Sequence, residues 1–189
     1  MIVDETGSMN RTKAVTISAY NEWLDEQRTP AEDETDPEDE PNFTLVKFNT
    51  TTKMQNYEKI STAPALTNAN YNPSSMTALY DAIGETITEF QKEKYNICVI
   101  ITDGEENSSR KFNNKSATDL IKKMTDENEW EFHYLGANQD AFAVGGSIGI
   151  TNNRSWEQNE EGTREVYAAM REEVKMGRAK QVRKKKGLF

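Results

Sequence analysis

Met1-Ile2-Val3-Asp4-Glu5-Thr6-Gly7-Ser8 is the stretch on which the reading of the fold turns. Three apolar residues run into Asp-x-Thr-x-Ser, so a short strand gives way to a glycine-containing turn. A carboxylate and two hydroxyls at alternating positions on such a turn can point at one place. Hard oxygens converging on a point suit a hard divalent cation such as Mg²⁺. The same residue types also build ordinary turns, so the pentapeptide needs support from elsewhere in the chain.

Two other segments supply it. Asn96-Ile97-Cys98-Val99-Ile100-Ile101-Thr102 is a continuous apolar run, the pattern of a parallel strand buried on both faces. It ends in Asp103-Gly104, a second carboxylate at a second strand tip. Between the two lies Pro73-Ser74-Ser75-Met76-Thr77, a loop feeding a helix that begins near Ala78. Thr77 suits an N-cap and is also a candidate third hydroxyl ligand. In open α/β sheets, ligands bind beyond the carboxyl ends of the strands, and all three segments fall on that edge.

Asp4, Thr6 and Ser8, then Thr77, then Asp103 resemble the metal-ion-dependent adhesion site of the von Willebrand factor type A domain family. That family's pattern is Asp-x-Ser-x-Ser, a Thr on a second loop and an Asp after a hydrophobic strand. The resemblance spans roughly residues 1 to 150. It departs from the pattern at Thr6, which replaces Ser, and at Ser75, where relatives often carry Gly. Only three residues precede Asp4, so the first strand is either truncated or unusually short. The stretch from Phe132 to Phe142 also resembles stand-alone A-domain proteins of bacteria and their phages. The resemblance implies that Thr6 and Ser8 ligate Mg²⁺ directly (Mn²⁺ or Ca²⁺ being alternatives). It makes Thr77 a direct or water-bridged ligand, and Asp4 and Asp103 act through waters and hydrogen bonds. A partner Asp or Glu would complete the coordination.

The chain has 189 residues and a net charge of −9, which fits one domain with a substantial core. No run approaches a membrane span, and no signal peptide is visible. These features predict a cytoplasmic protein, or a virion component if the chain is phage-encoded. The single cysteine, Cys98, lies in the most apolar strand and reads as a buried thiol. Acidity argues against a nucleic-acid-binding core. Charge is uneven: Glu32, Asp33, Glu34, Asp36, Glu38, Asp39 and Glu40 crowd one segment. Lys175, Arg178, Lys180, Arg183, Lys184, Lys185 and Lys186 crowd the end, with no acid after Glu173. That end could touch nucleic acid or an acidic protein surface.

Periodicity divides the chain into alternating helices and strands. A helix is predicted over Thr12–Gln27 with Ala14, Ile17, Tyr20 and Leu24 on one face. The acidic stretch 29–41 reads as a mobile loop that buries nothing. Phe43–Phe48 and Thr50–Tyr57 read as strands, the second an antiparallel edge. Helices are expected around Leu79–Phe90 and around Ala117–Met124, the latter capped near Ser116. Glu131–Gly136 reads as a strand, Gln139–Val144 as a helical turn or two, Ile148–Thr151 as a last strand and Thr163–Met176 as a final helix. His133 reads as structural. The expected fold is α/β: a Rossmann-like, doubly wound, mostly parallel central sheet with one short antiparallel edge strand and helices on both faces. One domain is assigned to 1–176, with 177–189 as a basic, poorly ordered tail.

The function expected from these residues is non-enzymatic, metal-dependent protein interaction, with the chain as part of a larger assembly. Glu105 and Glu106 are expected to be solvated, and Asn107 and Ser109 to shape the rim. Two alternatives stay open. One is a structural subunit whose metal site is vestigial or only stabilising. The other is a phosphotransfer enzyme with Asp4 as nucleophile, weakened because Glu5 stands where a basic residue is expected.

Overall fold

The computed structural model describes residues 1–32, 34–137 and 141–188. Six strands form one sheet: β1 (Ile2–Asp4), β2 (Phe43–Phe48), β3 (Thr52–Tyr57), β4 (Ile97–Thr102), β5 (Glu131–Ala137) and β6 (Asn152–Trp156). Their spatial order is β3-β2-β1-β4-β5-β6, with β3 antiparallel to β2 and every other neighbour parallel. The helices are α1 (Lys13–Gln27), α2 (Leu79–Phe90), α3 (Asn114–Asn128), α4 (Ala141–Ser147) and α5 (Glu160–Lys185). This is the doubly wound α/β architecture that the alternation of periods predicts.

Register explains why the strands are apolar on both sides. Ile2 pairs with Val46 and Ile100, and these three join Ile83, Ile87, Ile121 and Met124 in a core shared with α2 and α3. One residue along, Val3 and Ile101 point the other way, into a core with Tyr20, Trp23 and Leu24 of α1 and Val166, Met170 and Val174 of α5. Cys98 is buried, as its place in β4 requires. β1 has only three residues, yet it lies in mid-sheet and carries Asp4 at its carboxyl end.

Several local expectations are corrected. The buried stripe of α1 runs through Thr16, Ala19, Tyr20, Trp23, Leu24 and Gln27; Ala14 is exposed and Ile17 only partly covered. Tyr20 and Leu24 lie on the expected face; the buried stripe is wider than expected and excludes Ala14 and Ile17, because α1 faces both the sheet and α5. The cap of α3 is Asn113, whose side chain accepts from the Ser116 backbone while the Ser116 hydroxyl accepts from the Asn113 backbone. That reciprocal box satisfies two otherwise free donors. Ile148 and Ile150 form a buried plug rather than a strand, and β6 starts later, at Asn152.

The largest correction concerns the two charged segments. α5 does not end at Met176 but continues to Lys185, and Arg178, Ala179 and Val182 are buried. The acidic stretch does bury something: Glu34 is 8% exposed and takes a two-pronged ion pair from Arg178, at 2.8 and 2.5 Å. Arg178 also donates to the carbonyl and side-chain oxygens of Gln27. Pro37–Asp39 forms a single helical turn closed by Asp36 and Asp39. Like-charge repulsion, the reason for expecting mobility, is offset where the basic end of α5 folds back, as Lys186 does onto Asp39. Asp33, residues 138–140 and Phe189 lie outside the described residues; the helical turn expected over 139–144 is described only from Ala141, as α4. Among the described residues, no helix is long and apolar enough to cross a membrane.

Candidate metal centre

Three loops meet at the carboxyl edge of the sheet, each held there by backbone geometry. The first leaves β1 at Asp4 and turns through a short helical segment, Gly7–Arg11, into α1. The second runs from Tyr71 to Thr77. It is stitched to the first by Ser74 N–H donating to the Glu5 carbonyl at 2.9 Å and Gly7 N–H donating to the Ser75 carbonyl at 3.1 Å. Ser75 adopts a φ of 68°, the left-handed conformation that glycine takes without steric penalty. Serine thus occupies the glycine-like backbone at the position where the sequence departs from the pattern it resembles. The third loop follows β4 from Asp103.

The five candidate residues are brought together as follows. Asp4 is fully buried; its Oδ1 accepts from the Thr6 backbone N–H at 2.7 Å and its Oδ2 from the Thr102 hydroxyl at 2.6 Å. Its backbone carbonyl accepts from the buried Tyr71 hydroxyl at 2.7 Å. The hydroxyls of Thr6 and Ser8 lie 3.0 Å apart, and Ser8 donates to Asp103 Oδ1 at 2.6 Å. Thr77 approaches the third loop closely: a Cβ built on Gly104 would lie 2.7 Å from the Thr77 hydroxyl and 3.6 Å from Asp4 Oδ2. Gly104 is therefore the residue that lets the second and third loops touch.

Thr77 does not cap α2, as it was expected to. The first residue before the helix is Ala78, and no side-chain cap bond comes from it. The third loop does the capping. Glu106 accepts from Tyr80 N–H, and Ser109 accepts from Asp81 N–H, both at 3.0 Å. Asn107 accepts from Thr77 N–H at 2.9 Å. Glu106 also takes the backbone N–H groups of Ser108 and Ser109, so it is no solvated loop acid, whereas Glu105 is exposed. The Thr77 hydroxyl is left with no hydrogen-bond partner among the described residues, which keeps it available as a ligand.

Electrostatics follow from burial. Burial pushes the Asp4 carboxyl above its ordinary range, and hydrogen bonds from Thr102 and Thr6 offset part of that rise. Burial pushes Asp103 up to about 6; the Ser8 hydroxyl opposes this and the neighbouring Asp4 charge adds to it. Two carboxylates that resist ionisation side by side are what a cation between them would relieve. Every donor in the set is oxygen: two carboxylates and three hydroxyls. Among the described residues, no group of three or more His, Cys, Asp or Glu side chains gathers as a metal site, here or elsewhere; this centre has two carboxylates and otherwise hydroxyls. His133 does not join the centre; its ring lies between Glu131 and Glu173, at 3.0 and 3.1 Å.

Sequence reasoning missed three contributors, Thr102, Tyr71 and Gln158, and misread a fourth, Glu106, as solvated. Thr102 could have been found, because a hydroxyl next to a strand-end Asp is placed to reach a neighbouring carboxylate. Tyr71, Glu106 and Gln158 carry no local signal, since each arrives by tertiary packing. The Gln158 amide donates to Asp103 Oδ2 and, at 3.1 Å, to the Ser8 carbonyl.

The chain matches no protein-family model and no curated protein. Among solved structures it is similar to the vWF domain of the type V pili tip protein Mfa5 from Porphyromonas gingivalis. The TM-score is 0.51 and the identity 7%, and the match covers 94% of each chain. That likeness establishes a von Willebrand factor type A-like, Rossmann-like fold and nothing finer.

Proposed function

We propose that the chain is a non-enzymatic, adhesion-type interaction domain that binds an acidic side chain of a protein partner through a divalent cation, as part of a larger assembly. The observation that carries this reading is the pairing of Thr6 and Ser8. Their hydroxyl oxygens lie 3.0 Å apart; with the Ser8 proton turned to Asp103, Ser8 accepts from Thr6 and keeps one lone pair for an ion, and the Thr6 proton need only turn aside for both oxygens to face it. Adjacent ligands of an octahedral Mg²⁺ at its usual bond length are separated by about 3.0 Å, whereas Ca²⁺ spreads its ligands further. Thr6, Ser8 and Thr77 would hold the ion, with Asp4 and Asp103 supplying charge from behind them. When bound, the ion supplies a strong attraction for one more anionic oxygen. Neutral hydroxyls leave most of its charge uncompensated, and a partner carboxylate answers that charge.

A pilus tip protein as the setting of the solved relative is in keeping with an adhesion-type role. A virion is the other setting to test. The phosphotransfer alternative is disfavoured because Asp4 is fully buried with both carboxylate oxygens already accepting hydrogen bonds. A nucleophile needs a free oxygen facing its substrate.

The test is a Mg²⁺ titration followed by calorimetry, then capture of a short peptide carrying one Asp, with its Asn counterpart as control. At an ion concentration 100 times Kd, binding should stabilise the fold by about 2.7 kcal/mol. For a domain of this size that corresponds to roughly 5–10 °C in Tm. Asp4→Ala and Asp103→Ala should abolish the shift, and Thr77→Ala should weaken peptide capture more than it weakens the fold. Ion binding without any preference for the Asp peptide would leave the ion a purely stabilising role.

A further inference from the structure

The segment between β6 and α5 is built as a rigid bracket. β6 ends at Trp156, which pairs with Ala137. Three residues later Asn159 caps α5, its side chain accepting from Gly162 N–H at 2.8 Å, while its own N–H donates to the Glu157 carbonyl at 2.7 Å. The Thr163 hydroxyl donates to the Asn159 carbonyl, also at 2.7 Å. The turn is tight enough that a Cβ on Gly162 would lie 2.3 Å from the Glu157 carbonyl oxygen. Gln158 sits inside this bracket, so its backbone position is fixed from both sides.

Its side chain reaches the edge of the sheet. The amide nitrogen donates to Asp103 Oδ2 on the loop after β4 and to the Ser8 carbonyl on the loop after β1. One neutral group thus ties together two of the three loops that carry the candidate ligands. With Oδ2 of Asp103 engaged by the amide, Oδ1 faces the Ser8 hydroxyl, which donates to it at 2.6 Å. That arrangement turns the Ser8 proton away from the ion position. An amide also suits the place by charge. It satisfies a carboxylate oxygen without adding a cation, whereas a lysine there would compete with the metal for Asp103.

We propose that Gln158 is a positioning residue of the metal centre: it holds Asp103 and Ser8 in the arrangement that receives the ion, and it links that arrangement to the start of α5. This rests on the metal-binding reading above. Groups that orient metal ligands typically change affinity by about 10- to 100-fold when removed. The experiment measures Mg²⁺ affinity by calorimetry and ion-free Tm by circular dichroism in the wild type, Gln158→Ala, Gln158→Lys and Gly162→Ala. Gln158→Ala should weaken Mg²⁺ by about 10-fold or more with little change in ion-free Tm. Gln158→Lys should weaken it at least as much, although a donor to Asp103 remains. Gly162→Ala, which displaces the bracket from outside the site, should also weaken the ion. Wild-type affinity retained in Gln158→Ala, or a loss confined to ion-free Tm, overturns the inference alone. No saturable Mg²⁺ binding in the wild type overturns both it and the metal reading.

Discussion

At the scale of single residues, Asp103 gives the centre its pH dependence. Its carboxyl rises from an ordinary value of 3.8 to about 6 in the fold. Between those values the folded, ion-free chain binds more protons than the unfolded chain. The Asp103 contribution to stability is therefore full below about pH 4 and falls as pH rises to about 6. Asp4 is shifted in the same direction and adds to the slope. We expect urea midpoints in chelator to show this fall as a difference between wild type and Asp103→Asn across pH 4 to 6.5. Saturating Mg²⁺ should reverse it, since the ion favours the carboxylates. A wild-type chain that gained stability relative to the variant over that window in chelator would contradict the assignment. The chemistry of this residue was legible in the sequence: a carboxylate after an apolar run is placed by the strand itself. The partners of Thr77 were not, because the choice between capping a helix and facing a ligand depends on which other side chain reaches the helix first. Here Glu106, Asn107 and Ser109 reach it from the loop after β4.

Among the elements, α5 departs furthest from its sequence pattern. Apolar spacing carries it only to Val174, after which the residues are mostly basic and no amphipathic stripe marks where the helix stops. What carries it on is a polar contact, Arg178 to Glu34, which no periodicity encodes. Both side chains are almost wholly buried, at 6% and 3% exposure. Removing one partner leaves the other charge unpaired in the interior, so Arg178→Ala should cost about 3–5 kcal/mol. Replacing both with apolar residues of similar volume should cost much less. Urea denaturation of the two variants decides this, and equal losses would argue against a coupled pair. The contact between α1 and α5 supplies a second case. The Tyr20 and Tyr167 hydroxyls are buried there with no hydrogen-bond partner among the described residues. Tyr167→Phe removes an unsatisfied polar atom and keeps the ring, so it should leave stability unchanged or raise it by about 1 kcal/mol. A loss of similar size would reveal a partner such as ordered water. Strands were easier to read than helix ends, because β2 and β4 are buried on both faces and announce themselves by composition alone.

Across the whole molecule, the sheet order β3-β2-β1-β4-β5-β6 was legible only as a class of fold, since alternation of periods gives a parallel sheet but not which strand lies beside which. The placement of β1 has a consequence for how the molecule is assembled in time. β1 is three residues long, and its neighbours in the sheet, Val46 and Ile100 beside Ile2, lie far along the chain. So short a strand cannot hold either partner by itself, and closing two long loops for a handful of contacts is unfavourable until those partners are in place. β1 should dock after the β4–β5 and β2–β3 pairs have formed. Val3→Ala should then leave the refolding rate nearly unchanged and speed unfolding, with a φ-value below about 0.3. Stopped-flow kinetics measure both arms, and a φ-value near 1 would place β1 in the nucleus instead. Asp4 stands at the tip of that late strand, so the proposed ion position would come into existence only when folding is complete. Mg²⁺ present during refolding should not hasten it; the ion should act as a clasp, lengthening the life of the finished protein.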